Sequence, residues 1–144
     1  MQHRFVRAAL VQMLIAAPWT TQAVEVHFQA VADGVYAHVG DTGPRSVDNE
    51  GLNANIGLVV TPAGAVLIDS GATAQSARQI HEAGKAVTPQ PVKWVFNTGE
   101  QDHRWLGNGY FAAQGAEVIA HANARPDMLN RGNASRTYLE IERE

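Results

Sequence analysis

The alternation of apolar and polar residues lays out the chain before any composition is counted. Val24 to Val31 alternates at period two, as a half-buried strand does. Asp33-Gly34 is a strong hairpin turn, and Val35 to Val39 reads as the returning strand. Gly40 to Asn53, rich in Gly, Asp and Asn and holding Pro44, reads as the longest open loop of the chain. Asn55 to Val60 and Ala65 to Ile68 are mostly apolar runs separated by Thr61-Pro62-Ala63-Gly64, which predicts two buried strands and a turn. Asp69-Ser70-Gly71 ends the second. Thr73 is placed to cap a helix from Ala74 to about Val87, with Ala77, Ile80, Ala83 (or Gly84) and Val87 spaced by three and four along its inward face. Pro89 and Pro91 stop that helix, and Val92 to Phe96 is the next strand. Gly107 to Gln114 reads as helix, Val118-Ile119-Ala120 as a short strand, and a last helix starts near Asn123. Hairpins followed by strand–helix–strand units predict an α/β fold, a mixed sheet with helices and an antiparallel edge.

The first residues do not fit that scheme. Arg4 and Arg7 precede an apolar run, Ala8 to Ala17, broken only by Gln12, and Thr21-Gln22-Ala23 offers a small-x-small cleavage site. This is the pattern of a secretory signal over residues 1–23, which implies an exported protein, periplasmic or secreted. The run is too short for an ordinary membrane span, so no stable membrane anchor is expected after the leader is removed. That leaves residues 24–144 as a single domain at most.

Composition narrows the chemistry. The chain has 144 residues and a formal net charge of −3. The leader carries two arginines and no acids, so its loss takes −3 to −5. No basic stripe exists, which argues against nucleic acid as a partner. There are no cysteines, which excludes thiol catalysis, Cys-containing zinc sites and iron–sulfur clusters. No Gly-x-Ser-x-Gly elbow supports a serine hydrolase, and Gly107-Asn108-Gly109 lacks the Lys-Ser/Thr of a phosphate loop. Tyr36 and Tyr110 show no base partner in the sequence. His27 and His38 read as ordinary strand residues and His81 as a solvated one on the polar side of its helix. Trp105 reads as packing.

Gly34-Val35-Tyr36, Asn55 to Val60, Val66-Leu67-Ile68-Asp69-Ser70-Gly71, Val95-Phe96-Asn97-Thr98, Gly107-Asn108 and Val118 to His121, in this order, resemble the N-terminal half of the metallo-β-lactamase superfamily. The match is clearest from Val31 to Arg125, and the nearest likeness is to exported quinoprotein-relay and sulfur-oxidation hydrolases. The resemblance implies half of an αβ/βα sandwich. It also implies a zinc-dependent hydrolase site on the loop after Val92 to Phe96, where the family carries His-x-His-x-Asp-His. Such zinc lowers the pKa of a bound water to make a hydroxide nucleophile.

The loop departs from that pattern. Aligned without gaps, Gly99 and Gln101 take the first two histidine positions, His103 the aspartate and Arg104 the last histidine. Slipped by one residue, Asp102 and His103 fall on the family's Asp-His pair. Both frames stay open on sequence alone: the flanking Gly107-Asn108 favours the first, ligand chemistry the second. Glycine has no ligand atom, a neutral amide is a poor zinc ligand beside imidazole, and arginine cannot ligate. The resemblance therefore leaves Asp102 and His103 as the candidate metal ligands, with Asp102 the catalytic candidate and His121 an outlying third ligand. Asp69 would brace the metal loop through hydrogen bonds, and Arg104 would bind an anionic substrate group.

A catalytic zinc usually takes three protein ligands, and the family's remaining ligands lie in a C-terminal half that no further strands here supply. The expectation is a truncated metallo-β-lactamase-fold hydrolase with impaired or absent zinc-dependent hydrolysis, acting on a small-molecule substrate if active. The alternative is a non-catalytic periplasmic binding or accessory module on the same fold. A half-sandwich would expose an apolar sheet face, which a homodimer could cover.

Overall fold

The computed structural model describes residues 25–141. The predicted leader, Met1 to Ala23, lies outside the described residues. Six strands form one sheet in the order β1-β2-β3-β4-β5-β6: β1 Gln29–Ala32, β2 Val35–His38, β3 Ile56–Thr61, β4 Gly64–Ile68, β5 Val92–Asn97 and β6 Glu117–Ala120. β1 to β4 pair antiparallel, β1 with β2 and β3 with β4 through the two predicted turns, and β2 with β3 across the long loop. β4, β5 and β6 pair parallel, so each step between them needs a crossover. Helix α1 (Ala74–Val87) supplies the first, and the short helices α2 (Asp102–Trp105) and α3 (Asn108–Ala113) supply the second. Helix α4, Ala124–Ile141, follows β6. The sheet is mixed and carries helices, as the α/β reading expected.

Register explains the core. Leu58 lies beside Leu67, and Leu67 beside Val95, so the three share one face of the sheet. Ala77 and Ile80 of α1 and Phe111 of α3 pack onto that face, and all six side chains are buried. Burying a side chain of this size fully contributes about 1.5–3 kcal/mol. The start of α1 is fixed by chemistry as well as by pattern. Thr73 Oγ1 accepts from the Ser76 N–H at 2.9 Å, and Ser76 Oγ accepts from the Thr73 N–H at 2.9 Å. Two otherwise orphaned amides are thus satisfied reciprocally.

Four expectations are corrected. β1 is four residues long, and all four are exposed, because an edge strand with one neighbour has no layer to half-bury it. The polar loop after β5 contains a helical turn, α2. A four-residue helix is too short to show periodicity. His81 is only partly exposed, and its Nδ1 lies 3.0 Å from the Tyr110 hydroxyl, so Tyr110 does have an imidazole partner. His27 precedes β1 and lies in no strand, whereas His38 is in β2 as expected, buried against the His27 backbone. Among the described residues no helix is long and apolar enough to cross a membrane.

Candidate functional site

The carboxyl ends of β4 and β5 meet the loops that follow them, and small polar side chains stitch them together. β4 is followed directly by Asp69, a non-glycine residue in the left-handed region (φ 63°). Such a conformation costs about 1 kcal/mol or more and persists only where surroundings impose it. Here the surroundings are specific. The Asp69 N–H donates to the Phe96 carbonyl at 2.8 Å. The buried carboxylate, 2% exposed, accepts from the Thr98 N–H (2.8 Å), from Thr98 Oγ1 (2.7 Å) and from Arg104 Nη1 (3.3 Å).

The next residues continue the seam. The Ser70 N–H donates to the Arg104 carbonyl at 2.8 Å, and the Gly107 N–H to the Gly71 carbonyl at 3.0 Å. Asn97 Nδ2 also donates to the Arg104 carbonyl (2.9 Å). Ser70 Oγ donates to Asn108 Oδ1 (2.7 Å), and Asn108 Nδ2 to Asn97 Oδ1 (2.8 Å). Ser70, Asn97 and Asn108 were read from the sequence only as parts of the family motifs, with no role of their own. Their one legible signal was position, since small polar residues directly after strand ends have backbone groups to satisfy.

On this seam sits α2. Its first residue, Asp102, forms an ion pair with Arg45 Nη1, from the long 40–53 loop. The two side chains are 15% and 28% exposed. Asp102 Oδ1 also accepts from the His103 N–H at 2.9 Å, while His103 Nδ1 stands 3.7 Å away. Burial holds the His103 imidazole below its ordinary pKa. The Asp102 charge opposes that shift, and the Arg104 and Arg45 charges add to it. His103 is therefore neutral near pH 7. Arg104 turns inward: its Nη1 donates to Asp69 and to Thr98 Oγ1. Gln101 folds back over Gly99, where an added Cβ would lie 2.6 Å from its amide oxygen. Trp105 packs as expected: its indole N–H donates to the Glu100 carbonyl at 2.9 Å, and the ring lies against Gly132 of α4.

Asp102 and His103 open onto a cleft of about 290 Å³ with Arg45, Asn53, Gln101 and Arg131. Asp69, Arg104 and His121 do not line it. His121 follows Ala120, which pairs with Asn97 at the same end of the sheet. It is exposed, and its Nδ1 accepts from the Asn123 N–H at 3.2 Å. The site thus brings Asp102 and His103 together, places Asp69 and Arg104 beneath them, and leaves His121 apart. Arg45, Asn53 and Arg131 were missed in the sequence because they come from distant segments.

The family model described as metallo-beta-lactamase superfamily matches residues 49–138. The chain belongs to the metallo-beta-lactamase superfamily. Solved superfamily structures share its fold. The metallo-beta-lactamase FIM-1 from Pseudomonas aeruginosa, in its mono-zinc form, is 22% identical, with a TM-score of 0.66 over 77% of this chain and 48% of its own. A metallo beta lactamase from Hirschia baltica is 20% identical, with a TM-score of 0.62 over 74% of this chain and 48% of its own. A HARLDQ motif mutant of the metallo-beta-lactamase from Cronobacter sakazakii is 28% identical, with a TM-score of 0.53 over 69% of this chain and 36% of its own. No curated protein matches the chain significantly. The chain spans about half the length of the first of these superfamily structures.

Superfamily membership implies zinc, and the donors present do not fit it. Among the described residues no three His, Asp or Glu side chains converge as a metal site. A catalytic zinc needs about that many. Asp102 instead faces the Arg45 guanidinium, a fixed positive charge that opposes a cation at the same carboxylate.

Proposed function

We propose that this chain is a metallo-β-lactamase-fold, hydrolase-like protein whose own residues do not support zinc-dependent hydrolysis. The observation that carries this reading is the Asp102–Arg45 ion pair. It engages, with a guanidinium, the carboxylate next to His103 that the resemblance offers as a ligand. The first two histidine positions fall on Gly99 and Gln101 in one alignment of the loop and on Thr98 and Glu100 in the other, so neither supplies an imidazole. Hydroxide generation at neutral pH depends on a metal held by several ligands, and among the described residues no three His, Asp or Glu side chains converge here.

Protein purified without chelator should contain well under one zinc per chain, and Asp102→Ala/His103→Ala should leave that value unchanged. A chromogenic β-lactam or thioester should not be turned over above background. Stoichiometric zinc that the double substitution removes would overturn the reading, as would turnover that the substitution abolishes.

A second reading, a non-catalytic binding module, is favoured by the character of the cleft. Every side chain lining it is polar or charged, and two of the six are arginines. That composition suits ligand capture without chemistry on the ligand.

A further inference from the structure

The cleft between the 40–53 loop, α2 and α4 has features that the loss of a metal site does not by itself explain. Arg45, Asn53, Gln101, Asp102, His103 and Arg131 line it, with no apolar residue among them. Most small-molecule sites are largely apolar with a few polar groups, so this lining selects for charge. Two arginines and one aspartate line it, so its permanently charged side chains sum to +1, in a domain whose overall charge is negative. The two cationic side chains come from segments distant in the sequence, Arg45 from the long loop and Arg131 from α4.

Arg45 is also held in place. The Asp102 pair engages Nη1, and a guanidinium has five N–H donors. Asp102 itself is the first residue of α2, and α2 is tied to the strand ends through the Arg104 carbonyl, which accepts from Ser70 and Asn97. A carboxylate on an element tied to the strand ends thus orients a guanidinium that keeps 28% of its side-chain exposure. A fixed guanidinium loses little entropy when it binds a second oxyanion.

We propose that this cleft binds a small oxyanion, a phosphate or carboxylate group. Arg45 and Arg131 are the binding residues, and Asp102 is the positioning residue for Arg45. Rather than coordinating a cation, Asp102 aims one. The cleft's volume of about 290 Å³ admits a phosphate or a short carboxylic acid with water. This inference rests on the reading that Asp102 is not a metal ligand, and it adds the chemical class of what the site takes.

The test is isothermal titration of the full-length chain with inorganic phosphate, and separately with acetate, at an ionic strength fixed with sodium chloride. One partly exposed and one exposed guanidinium should give a phosphate Kd on the order of 1 mM. Acetate, with less charge, should bind several-fold more weakly. Arg131→Gln, at an exposed position, should leave the fold intact and weaken phosphate binding by roughly tenfold, and Arg45→Gln should do at least as much. Arg45→Lys should recover part of the loss, because the charge returns without the planar fork. Asp102→Asn should weaken binding by about threefold, since a freed guanidinium must be ordered anew. If Asp102 only stabilised the fold, Asp102→Asn would lower the melting temperature and leave the Kd of the folded protein unchanged.

No saturable phosphate binding by the unmodified chain overturns the proposal, as does a Kd that either Arg131→Gln or Arg45→Gln leaves unchanged. An unchanged Kd in Asp102→Asn overturns the positioning role. Those failures leave the zinc-free reading standing. Stoichiometric zinc on Asp102 and His103 removes both.

Discussion

At the scale of single residues, this site is held by close approach as much as by charge. Gly107 shows how little room there is. Its φ of −74° is open to any residue, so conformation does not require glycine there. Space does: an added Cβ would lie 2.0 Å from the Ser70 carbonyl oxygen and 2.9 Å from the Ala77 Cβ. Gly107→Ala must push the 104–108 segment off the end of β4. That movement strains the Gly107-to-Gly71 and Ser70-to-Arg104 hydrogen bonds. The expected cost is about 3 kcal/mol, at the upper end for overpacking because the contact is with backbone. Gly109→Ala, two residues on and facing open space, is the control. It should be neutral or stabilising by up to about 1 kcal/mol. Urea unfolding of both variants measures the difference, and equal midpoints would show that the close approach is not as described. The sequence marked Gly107-Asn108 and Asp69 as positions to watch, yet it could not show what they touch. Asp69, Thr98 and Arg104 lie on different elements, and only the pairing of β4 with β5 brings them within hydrogen-bonding distance. Arg45 is the harder case. It sits in a loop with no periodicity, and nothing in the sequence points it toward Asp102.

At the scale of elements, the α1–α3 contact carries the clearest pH dependence. His81 of α1 packs edge-on against Tyr110 and tilted against Phe111 of α3, with ring centroids 5.7 Å apart in each case. Burial lowers its pKa below the ordinary 6.5, and the Lys85 charge lowers it further, against a smaller opposing effect of Glu82. The unfolded chain therefore takes up this proton first as the pH falls. The His81 contribution to stability is complete above about pH 6.5 and declines as the pH drops from there toward the folded-state pKa. His38, whose pKa burial also lowers, acts in the same direction. The melting temperature should fall between about pH 7.5 and 5.5, and His81→Gln should flatten that fall without abolishing it. A variant with the same pH slope as the unmodified chain would refute the assignment to His81. This contact also marks a limit of periodicity. The three-and-four spacing placed α1 at Ala74–Val87 and selected Ala77 and Ile80 for its inner face. His81, next to Ile80, falls at the border of that face, where a second helix decides whether it is covered. α2 marks another limit, because one turn of helix leaves no repeat to read.

At the scale of the whole molecule, the sheet has a second face to account for. α1 and α3 cover the side bearing Leu58, Leu67 and Val95. Alternation along the strands sends Val59, Val66, Ile68, Trp94 and Phe96 to the other side. Phe96 is 44% exposed there, beside Ile68 across the parallel ladder. An apolar sheet face of this kind favours association in water. The chain also matches only 48% of the length of the FIM-1 structure. A second copy is a suitable cover for this chain, since an isologous contact brings the same apolar face to both partners. Analytical ultracentrifugation of the chain without residues 1–23 should then show a concentration-dependent dimer. Phe96→Ser removes most of one ring's apolar area from each copy. It should weaken dimerisation by at least roughly tenfold, which corresponds to about 1.4 kcal/mol. The substitution lies outside the core formed by Leu58, Leu67 and Val95, so the melting temperature at high dilution should change little. A monomer at every concentration, in a folded sample, would rule out self-association as the cover for this face. A dimer insensitive to Phe96→Ser would place the contact elsewhere, and the exposed edge strand β1, with its unpaired backbone groups, would become the next surface to test.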